Sequence, residues 1–226
     1  MNNNTEERLN EIMTELGKKY NYDSVNAQFV QFTDFKMKWR RSYRWIEFDV
    51  SDYLLKVPEN ILKGIAEYTF RKITGKDAEY SNEVVNYLVS DEFVDTVQST
   101  YINRCRWISE GSEGNNRNLT DAYRRLVNME LIEEDPKIVL RWDEAPSWNL
   151  GKSSVLMRTV QINRKLDDPT ISETAFDYAV YTRLAHIQAG FSNQGPIRKE
   201  IYEQMLDRYP GRNQAQEELE KKGFRL

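Results

Sequence analysis

The segment VYTRLAHIQAG, residues 180–190, holds the single histidine of the chain, His186, with Arg183 three positions and Thr182 four positions before it. An imidazole changes charge near neutral pH, and beside a carboxylate it can shuttle a proton. Asp177, Glu200 and Glu203 are the acids on neighbouring segments that could serve, so hydrolysis without a metal at His186 is one candidate chemistry. The simpler reading is a histidine that hydrogen-bonds its own surroundings, because no nucleophile or oxyanion-binding device is identifiable near it. Ser153 and Ser154 follow NLGK, but a lone Gly-Lys-Ser lacks the glycine spacing of a phosphate loop and reads as a turn. The adjacent acids Asp167–Asp168 and Glu133–Glu134 point in divergent directions, as helix caps and turn residues do. The one cysteine, Cys105, excludes an internal disulfide and any multi-cysteine zinc site, and reads as a small buried or half-buried apolar residue.

A second stretch with chemical content is KMKWRRSYRW, Lys36 to Trp45, in which five cations are interleaved with Trp39, Tyr43 and Trp45. That mixture suits phosphate contact combined with base stacking, and makes Lys36, Lys38, Trp39, Arg40, Arg41, Arg44 and Trp45 candidate binding residues. In an extended conformation Lys36, Lys38 and Arg40 share one face, and Met37, Trp39 and Arg41 the other. A half-buried strand with a charged solvent face has the same pattern, and edge charges also protect against aggregation. With a net charge of −4, the structural reading is favoured and nucleic acid is not.

These residues need a frame. Across 226 residues an apolar share of 39%, with 12% aromatic, is enough for a packed core. No apolar run approaches the roughly 18 residues of a membrane span, and the polar, acidic start MNNNTEERL is unlike a signal peptide, so the expectation is a cytoplasmic protein with no membrane partner. The polar, glycine-containing stretch SEGSEGNNRN, 109–118, reads as a linker between a first domain, 1–108, and a second, 119–226. Arg44–Ile73 aligns without gaps onto Arg158–Ile187, each partner 114 positions further on, with the apolar pattern kept: Phe48 meets Ile162, Val57 meets Ile171 and Ile73 meets Ile187. Leu9, Ile12, Met13 and Leu16 have helical spacing, as do Tyr123, Leu126, Val127 and Met129. Extended segments follow in each half, and then a long helix, with Pro58 in its first turn in one copy and Ser172 as its N-cap in the other. In the second copy this helix presents the stripe Phe176, Val180, Leu184, Ile187 and stops at Gly190. The expected fold class is α+β: two tandem repeats, each a helix, a small, mostly antiparallel sheet, and a long helix followed by further helices.

The second half, from PKIVLRW through INRKLDD and VYTRLAHIQAGF to EIYEQMLDRYP, resembles the SprT-like and related zincin-type zinc metallopeptidases. The framing residues are Ile162, Asn163, Leu166, Asp167, Asp168, Tyr178, Tyr181, Leu184, His186, Ile187, Gly190, Tyr209 and Pro210. The resemblance covers most of 119–222 and, through the repeat, most of 5–105 more faintly. In such enzymes HExxH holds zinc with two histidines on one helix face, and the glutamate activates water. Here the first histidine position is Thr182, the glutamate position Arg183, and only His186 remains; the third ligand position falls near Ile197. Arg183 brings a permanent cation where the catalytic carboxylate should be. In the first half the matching positions are Tyr68, Thr69 and Lys72, or Thr69, Phe70 and Ile73 in the adjacent register.

The resemblance therefore implies a zincin-like pseudoenzyme with no cofactor and no metal, a non-catalytic module for protein or peptide. An alternative is a nucleic-acid-associated accessory protein using 36–45, and a further alternative is non-zinc hydrolysis around His186. Arg183 is expected to pair with Glu200 or Glu203, because a partly buried guanidinium needs a partner. Elemental mass spectrometry of the purified, untagged protein should find sub-stoichiometric zinc, and added zinc should leave the melting temperature unmoved; one tightly held zinc per chain would overturn the mapping.

Overall fold

The computed structural model describes residues 3–195 and 197–226. The fold is α+β, and the chain divides into two compact units. One runs up to Phe93 and includes Asn193–Gly195; the other holds Val94–Ser192 and the C-terminal residues to Leu226. No helix among the described residues is long and apolar enough to cross a membrane.

The first unit begins with α1 (Asn3–Lys19), then β1 (Ser24–Val30), β2 (Met37–Arg41) and β3 (Trp45–Ser51), a single turn of 3₁₀ helix, α2 (Glu59–Ile73) and α3 (Asn82–Leu88). The strand order is β1-β3-β2, with β1 parallel and β2 antiparallel to β3. The sheet is thus mixed, not mostly antiparallel, because the chain crosses from β1 to the far edge at β2 and the β2–β3 hairpin returns it beside β1. Alternation sends Ala27, Phe29, Ile46, Phe48 and Val50 to the buried face, where α1 packs on β1 and Phe70 of α2 meets Phe48 edge-on at 5.1 Å. The opposite face is polar: Gln28 donates to Asp49 at 2.8 Å, and Arg40 pairs with Glu47 at 3.0 Å.

The division between the units falls within α4 (Asp91–Arg104). Residues 81–102, helical in pattern, form two helices because Ser90 Oγ accepts from Phe93 N and so caps a new start. The second unit continues through α5 (Leu119–Asn128), β4 (Val139–Asp143), β5 (Gly151–Ser154), β6 (Thr159–Asn163), a second 3₁₀ turn, α6 (Glu173–Ala189), α7 (Lys199–Asp207) and α8 (Arg212–Lys221). Its strand order, β4-β6-β5, has β4 parallel and β5 antiparallel to β6, the same arrangement as in the first unit. Here the second face is covered as well. From α4, Gln98 donates to the carbonyls of Lys137 and Met157, and Tyr101 receives Gln161 at 3.3 Å. All of β6 is buried in consequence.

Residues 109–118 are folded against this second unit, where a linker was expected, and the division lies earlier, between Phe93 and Val94. Ser109 N donates to Trp142 O, Trp142 Nε1 donates to Ser112 O, and the Asp167 carboxylate receives the amides of Asn115 (2.5 Å) and Asn116 (2.9 Å). A Cβ at Gly114 would stand 2.6 Å from Asp167 Oδ2, so only glycine lets the loop approach. Backbone hydrogen bonds hold the segment, and these leave no trace in its composition.

α6 differs from its expected stripe: most of its positions are buried around the whole circumference. Ser172 Oγ caps its start by accepting from Ala175 N, and Gly190, at φ +73°, ends it. The carboxylate of Asp177, buried within this helix, is bound bidentately by Arg125 of α5 at 2.7 and 2.6 Å. Desolvation pushes the Asp177 carboxyl up and the Arg125 hydrogen bonds pull it down. Arg125→Ala should cost about 3 kcal/mol in urea unfolding by stranding that charge, whereas the double variant Arg125→Met/Asp177→Leu should recover most of it. Equal losses in the two would show that the pair does not matter in this way.

Candidate functional site

His186 lies in the last turns of α6, one turn after Thr182. Thr182 is buried, and its hydroxyl donates to Ala179 O at 2.8 Å, satisfied within its own helix. Arg183 Nε donates to Thr182 Oγ1 at 3.1 Å. The expected pairing of Arg183 with Glu200 or Glu203 is absent among the described residues: Glu203 pairs with Lys199 at 3.7 Å. A half-buried guanidinium that still reaches water needs no carboxylate.

The imidazole meets Ser153 instead of a carboxylate. Ser153 Oγ lies 2.9 Å from His186 Nδ1, and the ring of Tyr202 packs edge-on at 5.7 Å between centroids. Asp177 is committed to Arg125, so none of the expected acids orients this histidine. Ser153, whose sequence context reads as a turn, belongs to β5, and 33 positions of sequence separate it from His186. No local pattern could have joined them.

Ser153 has a second property. Asn163 N donates to Leu150 O at 3.0 Å, which makes these two a hydrogen-bonded pair. Alternation along the antiparallel ladder then bonds Lys152 to Gln161 and Ser154 to Thr159, and turns the amide and carbonyl of Ser153 away from β6. β5 is the outer strand of its sheet, and α6 packs against it. Arg225 bridges Asn149, one position before Leu150, and among the described residues no strand pairs with Gly151–Ser154 on the side away from β6.

The matching positions of the first unit do not form a site. Thr69 donates to Ile65 O within α2, Tyr68 stacks on Tyr80 at 3.7 Å, and the Lys72 ammonium lies 5.7 Å from the Tyr68 ring. Among the described residues no three of His, Cys, Asp and Glu come together as metal ligands would.

The stretch 36–45 is divided between two sheet faces. Lys38 and Arg40 stand on the polar face with Glu47 and Asp49, while Trp39 and Arg41 stand on the other. Lys36 and Lys38 lie over the Phe32 ring, Arg44 meets Asp23 at 3.6 Å, and Arg41 donates to the Tyr22 hydroxyl at 3.3 Å. Trp39 and Trp45 are each 42% exposed. Tyr20, Tyr22, Arg41, Tyr43 and Arg44 line a groove of about 850 Å³ at the end of this hairpin.

Comparisons with family models, with curated proteins and with solved structures give no match to this chain.

Burial, and after it the charge of Arg183, holds His186 below its ordinary value of 6.5. The folded protein therefore keeps the imidazole neutral where the unfolded chain protonates it. This stabilising contribution is complete above about pH 6.5 and is lost as pH falls through the folded value. Melting curves from about pH 8 to about pH 5 should show His186→Gln losing less stability on acidification than the native chain; parallel losses would remove His186 from the acid response.

Proposed function

We propose that the protein is a non-catalytic, zincin-like module that binds an extended protein segment along the outer edge of β5, beside α6. The observation that carries this reading is the outward amide and carbonyl of Ser153 on an edge strand that flanks the helix bearing His186. A strand with free backbone groups accepts another strand, main-chain hydrogen bonds supplying affinity and alternate side-chain contacts supplying selectivity. The Ser153–His186 hydrogen bond supports it too, since it ties the strand to the helix at that point. The resemblance in the second half supports the same position, because active zincins bind peptide substrate along the corresponding edge. Thr182 and Arg183 at the ligand and base positions support a role without zinc hydrolysis.

One observation favours a second reading, hydrolysis by Ser153 with His186 as base: the two are in hydrogen-bond contact, and a neutral imidazole can accept a proton. Against it, no carboxylate among the described residues fixes the ring, and the imidazole presents Nδ1 to the hydroxyl.

Peptides selected by phage display on the full chain should bind the native protein about tenfold more tightly than Ser153→Pro. That change removes an outward-facing donor without breaking a ladder bond. Equal binding to both, or an empty selection, would reject the site. Labelling of Ser153 by a fluorophosphonate would replace the binding reading with the hydrolytic one.

A further inference from the structure

β2 of the first unit is also an outer strand, and it is more open than β5. Ser51 N donates to Lys36 O at 3.1 Å and Ser42 N to Trp45 O at 2.9 Å, which sets the ladder phase at both ends. Lys38–Asp49 and Arg40–Glu47 are then the bonded pairs, and the amides and carbonyls of Met37, Trp39 and Arg41 face outward. Four of the five residues of β2 are exposed and the fifth half-exposed.

The side chains specify what could pair there. Between Phe35 and Trp45 the chain carries Lys36, Lys38, Arg40, Arg41 and Arg44 and no carboxylate. Among the described residues Lys36, Lys38 and Arg41 have no ion pair; two of them lie over the Phe32 ring and the third contacts the Tyr22 hydroxyl. Pairing of β2 with β2 of a second copy would set cation against cation on the polar face, where Lys38 and Arg40 stand, so self-association is disfavoured. A strand carrying acids at alternate positions would meet Lys36 and Lys38 on the polar face. Its intervening residues would lie on the side of Trp39, whose ring is 42% exposed and apolar.

We propose that β2 is a second docking edge, which adds an extended acidic segment of alternating acidic and apolar residues. Outward donors and acceptors at every second residue fit a peptide backbone. They do not fit the phosphate spacing of a nucleic acid, and the cations stand on two faces instead of forming one track. This is a different edge, in the other unit, from the one proposed on β5, and it stands or falls independently.

The test is fluorescence anisotropy of the full chain with a labelled peptide of alternating Glu and Val, as long as β2. The same peptide N-methylated on alternate amides, an alternating Lys-Val peptide and a single-stranded oligonucleotide complete the set. The Glu-Val peptide should bind. N-methylation should weaken it by about tenfold, and Lys38→Glu should weaken it by a similar factor while gaining affinity for Lys-Val. Lys36→Glu, at a position outside the strand, is the second variant and should act in the same direction; unchanged melting curves establish that both variants fold. Absence of Glu-Val binding, indifference to N-methylation, indifference to both charge reversals, or binding of the oligonucleotide alone would each overturn the proposal.

Discussion

The enclosure of α6 is the constraint on which the second unit depends. A helix buried over most of its circumference leaves little solvent-facing surface for its polar groups, so the buried ones must find partners inside. Asp177 has Arg125, Tyr178 has Gln216, Tyr181 donates to Met205 O, Thr182 returns to its own backbone, and His186 has Ser153. These partners come from α5, α7, α8 and β5, the elements that close around the helix. Packing and polar satisfaction therefore select the same neighbours. The histidine most suggestive of chemistry is one member of this set, and its imidazole is kept neutral by the same burial that demands its partner.

The two units put the same strand order to different use. In each, one strand runs parallel and another antiparallel to the central one, which leaves the hairpin strand at the edge. The first sheet offers water a polar face in which acids and bases alternate across neighbouring strands. The second has that face covered by α4, with Gln98 and Gln161 satisfying the polar groups sealed beneath it. Burial of both faces accounts for the unbroken burial of β6, whereas β3 alternates. Unpaired edges on β2 and β5 are the parts of these sheets most open to an added strand, and their chemistry differs: cations surround one, and a serine tied to a histidine marks the other.

Much of the frame was legible in the chain itself. Helical spacing at Leu9–Leu16 locates α1, and Ser172 and Gly190 bracket α6. Local signals succeed here because caps, turns and one-sided burial act within a few residues of where they are written. The division of the chain was less legible: the polar loop 109–118 looks like a linker, yet Asp167, far along the sequence, gathers its amides. The burial of α6 also reaches beyond its stripe, because a helix packed against by several elements holds small, aromatic and polar residues where amphipathic reasoning expects exposure.

The chemistry divides in the same way. Residue identity alone determined that positions 182 and 183 carry a hydroxyl and a cation, and that the chain has one histidine in all. Tertiary structure alone decided what that histidine touches: Ser153 and Tyr202 in place of Asp177, Glu200 or Glu203. It also decided that β2 is an outer strand whose ladder phase turns the amides and carbonyls of Met37, Trp39 and Arg41 outward. Composition and spacing act along the chain, whereas hydrogen bonds and strand phase depend on which distant segments meet, and that is set by how the core closes.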